Sequence, residues 1–219
     1  MRNITWLILI IVISSCTSEK ITPEEVTARY TVTFIFIWNE QDFPVDYPSG
    51  AHFSKLIGWS HKPGSGFFQT GTLASEGIKR MAEIGATSPL DNEINNRIAN
   101  NEGLNLVIGD NLSGGVGEIT IEIAVNKENP SVTLCTMIAP SPDWYVAVVS
   151  INLYENGSFV QEKIVDVLVY DAGTDGGLTY MSANDPTDPR EPISLFVKPP
   201  LGNGTSITPS ISVVKFSKL

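Results

Sequence analysis

The alternation of apolar and polar residues predicts β-strands over most of the chain. Residues 28–38 (ARYTVTFIFIW) are rich in β-branched and aromatic side chains and alternate in part, which is typical of a strand. Further segments with strand composition are residues 104–108, 117–125, 131–138, 144–154, 159–169, 193–197 and 210–216. The Asn156-Gly157 pair between two of them is a hairpin signal. Short turns between about eight strands predict one antiparallel β-sandwich.

Two segments in the first half have helical spacing instead. Residues 73–84 repeat their apolar positions at helical intervals, and Gly85 follows as a stop. Residues 88–100 repeat Leu or Ile every four positions. They open with Ser88 as the expected cap and Pro89 at the expected first helical position.

Residues 39–72 separate the first strand from these helices and are dense in aromatic residues, Gly and Pro. Their composition predicts a long ordered loop with at most one short strand. The predicted fold class is therefore mainly β: a sandwich with one or two short helices in a long insertion. No composition shift divides residues 28–219, which are expected to form one domain.

The first fifteen residues have the features of an export signal. Arg2 supplies an early positive charge, and residues 6–13 (WLILIIVI) form an unbroken apolar run. The run is far shorter than the ~20 residues that a membrane-spanning helix needs. Residues 1–15 are therefore predicted to be a cleaved signal peptide.

The end of this signal resembles a bacterial lipobox. Two small residues, Ser14 and Ser15, stand between an aliphatic residue and Cys16. The resemblance implies lipidation of Cys16, with residues 16–27 as a tether. The absence of Asp after Cys16 favours the outer membrane. A plain signal peptide cut near Ser15, with an incidental thiol at Cys16, is the alternative.

The overall charge excludes one class of partner. The chain carries 24 acidic against 14 basic residues, for a net charge of −10. An acidic protein is a poor ligand for phosphate backbones, so no nucleic-acid partner is expected. Cys135 lies in an apolar strand and is predicted to be a buried, inert thiol. Ser60-His61 is interpreted as part of a loop, and no catalytic residue is assigned.

Acidic residues concentrate in three loops, at residues 140–144, 170–177 and 184–191. Carboxylates from neighbouring loops could form an oxygen cage of the kind that Ca²⁺ prefers. Asp-x-Gly sequences are also frequent turn formers, so solvated turns explain the same pattern. The residues alone leave both interpretations open.

Longer motifs resemble the spondin domain, the F-spondin and mindin module of extracellular matrix proteins. The matching segments follow the family order: residues 28–34 (ARYTVTF), Trp38, residues 43–48 (FPVDYP), 52–61 (HFSKLIGWSH), 71–85, 140–144 (PSPDW) and 170–177 (YDAGTDGG). They extend from about residue 28 to the last strand. The chain is therefore identified as a member of this family.

The resemblance implies a C2-like β-sandwich with a calcium site formed by Asp143, Asp171 and Asp175. It also implies adhesion rather than catalysis, with a cell-surface or matrix protein or a glycan as the ligand. Animal members have a cysteine where Thr27 stands, so a domain disulfide is not expected and Cys135 should be free. The expected function is a lipid-anchored, calcium-binding adhesion domain of the bacterial envelope. An envelope hydrolase and a purely structural envelope protein are the alternatives.

Overall fold

The computed structural model describes residues 26–219; the predicted signal peptide, Cys16 and most of the tether lie outside this range. The strands of the described part are β1 (Thr27–Ile37), β2 (His52–Phe53), β3 (Ile57–His61), β4 (Gly103–Ile108), β5 (Val116–Asn126), β6 (Ser131–Ala139), β7 (Trp144–Asn152), β8 (Tyr154–Glu155), β9 (Ser158–Phe159), β10 (Glu162–Asp166), β11 (Leu168–Asp171), β12 (Ser194–Leu195) and β13 (Ser212–Lys218). Its helices are α1 (Glu76–Ile84) and α2 (Leu90–Ala99).

These strands form two facing antiparallel sheets, which confirms the predicted β-sandwich. One sheet has the order β10-β13-β1-β5, and the other follows β12-β11-β7-β6-β3-β4 with β2 beside β6. Alternate side chains of β1 point between the sheets and are fully buried, whereas those between them are partly exposed. Alternation of this kind is expected of a strand with one face on the core.

The helices cover the outer face of the larger sheet. Ile78, Met81 and Leu90 pack there with Trp59 and Tyr145 in a second apolar cluster. The cap of α1 is Ser75, whose hydroxyl accepts a hydrogen bond from the Ile78 N–H at 3.2 Å. Because helices occupy this face, both faces of the larger sheet are buried over its central strands.

Two details of the helix prediction need correction. Pro89 is the N-terminal cap of α2 and not its first helical residue, and it provides no side-chain hydrogen bond. The first turn of α2 is instead joined to the preceding turn, because the Asp91 N–H donates to the Thr87 carbonyl oxygen at 2.9 Å. By contrast, Gly85 ends α1 with φ of 65°, as its position predicted.

The loop region predicted over residues 39–72 contains two short strands, β2 and β3, where the prediction allowed for one. All five residues of β3 are buried, and the strand lies between β6 and β4. His61 is therefore a buried strand residue and not a loop residue. Its Nε2 lies 2.8 Å from the Thr133 hydroxyl and its Nδ1 2.7 Å from the Lys62 carbonyl oxygen.

The single strand predicted at residues 159–169 is also wrong. The chain forms β9, β10 and β11 there and passes from the smaller sheet to the larger one between Asp166 and Leu168. The hairpin at Asn156-Gly157 is confirmed, with φ of 52° and 81° at the two residues. Positive φ at both positions is what a two-residue hairpin turn requires.

Several loops meet at the end of the sandwich where β1 finishes. Trp38 directly follows β1, and its ring centroid lies 5.4 Å from that of Tyr180 in a distant loop. Trp144, which begins β7, lies 5.7 Å from the same Tyr180 ring. This end therefore gathers the 39–50, 140–143 and 172–191 loops, and Thr27 starts β1 at the opposite end. No helix of the described part is long and apolar enough to cross a bilayer.

Candidate metal centre

Asp143 is the buried centre of the acidic loops. It lies in the turn between β6 and β7, and 0% of its surface is exposed. Its Oδ2 accepts hydrogen bonds from the N–H groups of Thr174 and Asp175, at 2.7 and 3.1 Å. The carboxylate thus joins two loops that are 31 residues apart in the chain.

The other oxygen of this carboxylate has no partner. Asp143 Oδ1 is fully buried and receives no hydrogen bond from any described residue. A buried carboxylate oxygen without a donor is costly because neither water nor protein compensates its charge. This oxygen is therefore the feature of the site that best fits a positively charged ligand.

Burial and a neighbouring carboxylate together disfavour the charged form of Asp143. Burial raises the pKa of Asp143, Asp171 raises it further, and the hydrogen bonds from Thr174 and Asp175 lower it, which leaves the pKa at about 7. Without a cation, the neutral form of Asp143 is therefore favoured far more strongly than in an exposed aspartate.

Asp171 lies at the end of β11, where the strand pairs with the start of β7. Its Cα partner in the ladder is Trp144, the residue next to Asp143. Burial raises the pKa of Asp171, and Glu191 and Asp175 raise it further, while the Gly173 N–H and Lys198 lower it. The site therefore brings several carboxylates together, with backbone N–H groups and Lys198 as the compensating groups.

Asp175 shapes the loop that follows. Its Oδ1 accepts from the Gly177 N–H at 2.8 Å, and its Oδ2 accepts from the Asp185 N–H at 3.2 Å. Both oxygens are thus engaged by backbone donors. A cation at Asp175 would share these oxygens or bind after a small movement of the loop.

The three predicted aspartates meet at one end of the sandwich, but a complete cage is not formed. In residues 26–219, no group of three or more His, Cys, Asp or Glu side chains is disposed to hold a metal ion as it stands. The donor chemistry nevertheless fits a hard cation, since Asp143 and Asp171 offer carboxylate oxygens and Asp143 Oδ1 lacks a partner. The calcium site stays a prediction.

Sequence reasoning assigned no role to Thr174 and placed Asp185 only in a further acidic loop. Thr174 donates from its N–H and its hydroxyl to Asp143 Oδ2, the latter at 3.3 Å. Asp185 closes the loop after Asp175, and its carbonyl oxygen accepts from the Gly176 N–H at 2.8 Å. Thr174 stands between Asp171 and Asp175 in the chain, but only the fold reveals that it is buried against Asp143.

The predicted burial of Cys135 is confirmed elsewhere in the sandwich. Cys135 is a free, fully buried cysteine in β6. Burial raises the pKa of its thiol far above the ordinary value. Because the thiolate is the reactive form, both burial and the raised pKa disfavour reaction of this thiol, and its inertness stays a prediction.

These features define the chain as an antiparallel β-sandwich domain that carries a cluster of acidic loops at one end. The Spondin_N family profile matches residues 28–199. Human Spondin-1 is 35% identical over 175 residues, which cover 76% of this chain. Rat Spondin-2 is 29% identical over 198 residues, which cover 86% of this chain. The chain therefore belongs to the spondin N-terminal domain family.

The relatives are longer proteins. The matched region covers 21% of human Spondin-1 and 60% of rat Spondin-2. The similarity thus concerns one domain of each relative. What the whole relatives do is not transferred to this chain by the match alone.

Proposed function

We propose that this chain is a non-catalytic, calcium-stabilised domain that binds a protein or glycan ligand at the bacterial cell envelope. The observation that carries the calcium proposal is the buried, unpartnered Oδ1 of Asp143. A divalent cation beside this oxygen would compensate the charges of Asp143 and Asp171 together. The ion would organise the loops more than it would supply chemistry.

Membership of the spondin family supports ligand binding over catalysis. Adhesion is the role that the family resemblance implies, and the site offers no nucleophile beside a base. The envelope hydrolase remains the alternative because a metal with acidic loops could activate water. A screen of saccharide and phosphoester substrates would favour the hydrolase if turnover disappeared in Asp143→Ala.

The lipid anchor at Cys16 is also part of the proposal. From Cys16 to Val26 the chain can reach at most ~36 Å when fully extended. The 11 residues of β1 span about the same distance, and they lead from the tether to the acidic end. An anchor at Cys16 would therefore leave the acidic loops free to face a ligand away from the attachment point. Radiolabelled palmitate incorporation, lost in Cys16→Ser, tests the anchor.

Thermal unfolding in calcium and in chelator tests the metal. We expect a higher melting temperature in millimolar Ca²⁺ than in EDTA, because a ligand that binds only the folded state stabilises it by mass action. The increase should disappear in Asp171→Asn and remain in Asp166→Asn, a matched exposed aspartate on β10. Equal melting temperatures in calcium and chelator would refute the calcium site.

Ligand binding separates the adhesion domain from a purely structural protein. The purified chain, with and without calcium, would be incubated with intact cells and with arrays of defined glycans. Saturable binding that decreases in Asp171→Asn supports the proposal. Calcium-dependent stability without saturable binding would favour the structural alternative.

A further inference from the structure

The loop after Asp175 is closed at its base by hydrogen bonds. The Asp175 carboxylate accepts from Gly177 on one side and from Asp185 on the other, at 2.8 and 3.2 Å. The Gly176 N–H donates to the Asp185 carbonyl oxygen at 2.8 Å and joins the two ends directly. Residues 176–185 therefore form a compact surface loop with its ends together.

An aromatic anchor and a hydroxyl fix the inside of this loop. Tyr180 is only 3% exposed, and its ring packs against Trp38 and Trp144. The Ser182 hydroxyl accepts from the N–H groups of Leu178 and Thr179 at 3.1 and 3.0 Å. The packing of Tyr180 and the hydrogen bonds to the Ser182 hydroxyl thus fix the conformation of the turn at residues 178–182.

The same turn directs two large apolar side chains into solvent. Leu178 is 75% exposed and Met181 is 76% exposed, the highest values among the large apolar side chains of the described residues. Single exposed apolar residues are ordinary on protein surfaces. Two of them on one fixed turn form an apolar projection, named here the 178–181 knob.

Exposed acidic side chains lie in and beside the loop that carries this knob, and they form what is called its rim. Asp46, Asp185 and Asp188 are all exposed, and none forms a salt bridge within residues 26–219. Asp185 closes the base of the loop, and Asp46 adjoins Tyr47, whose ring lies 5.3 Å from the Trp38 ring on which Tyr180 packs. An apolar centre with a polar rim is the usual arrangement of a protein-binding surface.

The charge of the rim selects among possible occupants. An anionic lipid surface would be repelled by these carboxylates. A second copy of the chain would place the same acids against each other, which is unfavourable. A partner with an apolar pocket bordered by Lys or Arg side chains would bury the knob and pair its basic groups with the acidic rim.

We propose that the 178–181 knob docks into an apolar pocket with a basic border on a partner protein. The proposal rests on the ligand-binding role proposed above and specifies the chemistry of the ligand. The fixed turn favours such docking, because its residues are already ordered before the partner binds.

Fluorescence anisotropy with an amphipathic 18-residue peptide of Lys and Leu would test the knob. The full chain would be titrated in calcium and in EDTA, with a Glu and Leu peptide as the charge control. We expect saturable binding of the Lys and Leu peptide that weakens at least tenfold in the double variant Leu178→Ser and Met181→Ser. Ile164→Ser removes an apolar side chain that is 59% exposed on β10 and should change binding less than twofold.

Several results would overturn the proposal: no saturable binding, equal loss in Ile164→Ser, or equal binding of the Glu and Leu peptide. Flotation with phosphatidylcholine and phosphatidylserine vesicles that depends on the knob would identify a membrane as the occupant. Dimerisation in analytical ultracentrifugation that is lost in the double variant would identify a second copy. The calcium proposal is judged on melting temperature alone, so either proposal can fail without the other.

Discussion

The raised pKa of Asp143 predicts an unusual pH dependence of stability in the metal-free protein. Its pKa is about 7 in the folded state, against an ordinary value of 3.8. The folded state therefore binds more protons than the unfolded state between about pH 4 and pH 7. The contribution of Asp143 to stability is most favourable below this window and falls as the pH rises through it, because Asp143 must ionise while buried.

The magnitude follows from the size of the pKa difference. A shift of about three units at about 1.4 kcal/mol per unit corresponds to ~4 kcal/mol of destabilisation above pH 7. This figure is an upper bound, because local relaxation reduces it. In Asp143→Asn the side chain is neutral at every pH. Its amide oxygen can take the position of Asp143 Oδ2 and still accept from the Thr174 and Asp175 N–H groups.

Denaturant unfolding in EDTA at pH 5 and pH 8 would measure this difference. We expect Asp143→Asn to be more stable than the natural protein at pH 8, by a few kcal/mol, and to have a clearly smaller advantage at pH 5, which lies near the lower edge of the window. Asp166→Asn, the exposed control on β10, should leave the pH profile unchanged. In calcium the order at pH 8 should reverse, since the variant lacks the charge that binds the ion. Parallel pH profiles of variant and natural protein in EDTA would refute the assigned pKa.

Three further changes have defined outcomes. Burial lowers the pKa of His61, the Lys62 carbonyl raises it and Arg97 lowers it. The neutral ring therefore contributes stability that is present above pH 6.5 and is lost as the pH falls below it, and His61→Gln should flatten the pH dependence of the unfolding free energy in that range. Cys135 should not react with an aromatic disulfide reagent until the protein unfolds, and fast labelling of the native protein would contradict its burial. Gly58→Ala should destabilise the protein by more than ~2 kcal/mol in chemical denaturation, because the added Cβ would lie 2.1 Å from the Thr133 carbonyl oxygen. A stability equal to that of Gly50→Ala, where no atom lies within 4 Å of the added Cβ, would contradict this close approach.

The strands that sequence analysis found either alternate, with one buried face, or form an apolar run, as the fully buried β6 does. β1 and β5 alternate because one face packs on the core and the other meets solvent. β3 is buried on both faces and contains Gly58 and His61, so neither alternation nor an apolar run marked it. The prediction of one strand at residues 159–169 was wrong for another reason. The chain passes from one sheet to the other there, and residue composition contains no signal for that crossing.

The candidate site was predictable in its residues but not in its electrostatics. Asp143, Asp171 and Asp175 were named through the family motifs, and the fold brings them to one end. The burial of Asp143 and the donation from Thr174 depend on how two loops pack, which no local pattern contains. The exposure of Leu178 and Met181 is equally non-local, because the anchor that fixes their turn is a contact between Tyr180 and Trp38.

Two unfavourable arrangements lie within the same group of loops. Asp143 has a buried oxygen without a partner, and Leu178 and Met181 expose apolar surface on a turn that hydrogen bonds hold in place. The helix-covered face of the larger sheet shows the opposite character, with Ile78 and Trp59 fully buried. Local features that oppose folding concentrate at functional sites, where binding compensates for them. A cation beside Asp143 and a pocket around the knob would remove both costs, and both proposed interactions would then lie at the acidic end of the sandwich.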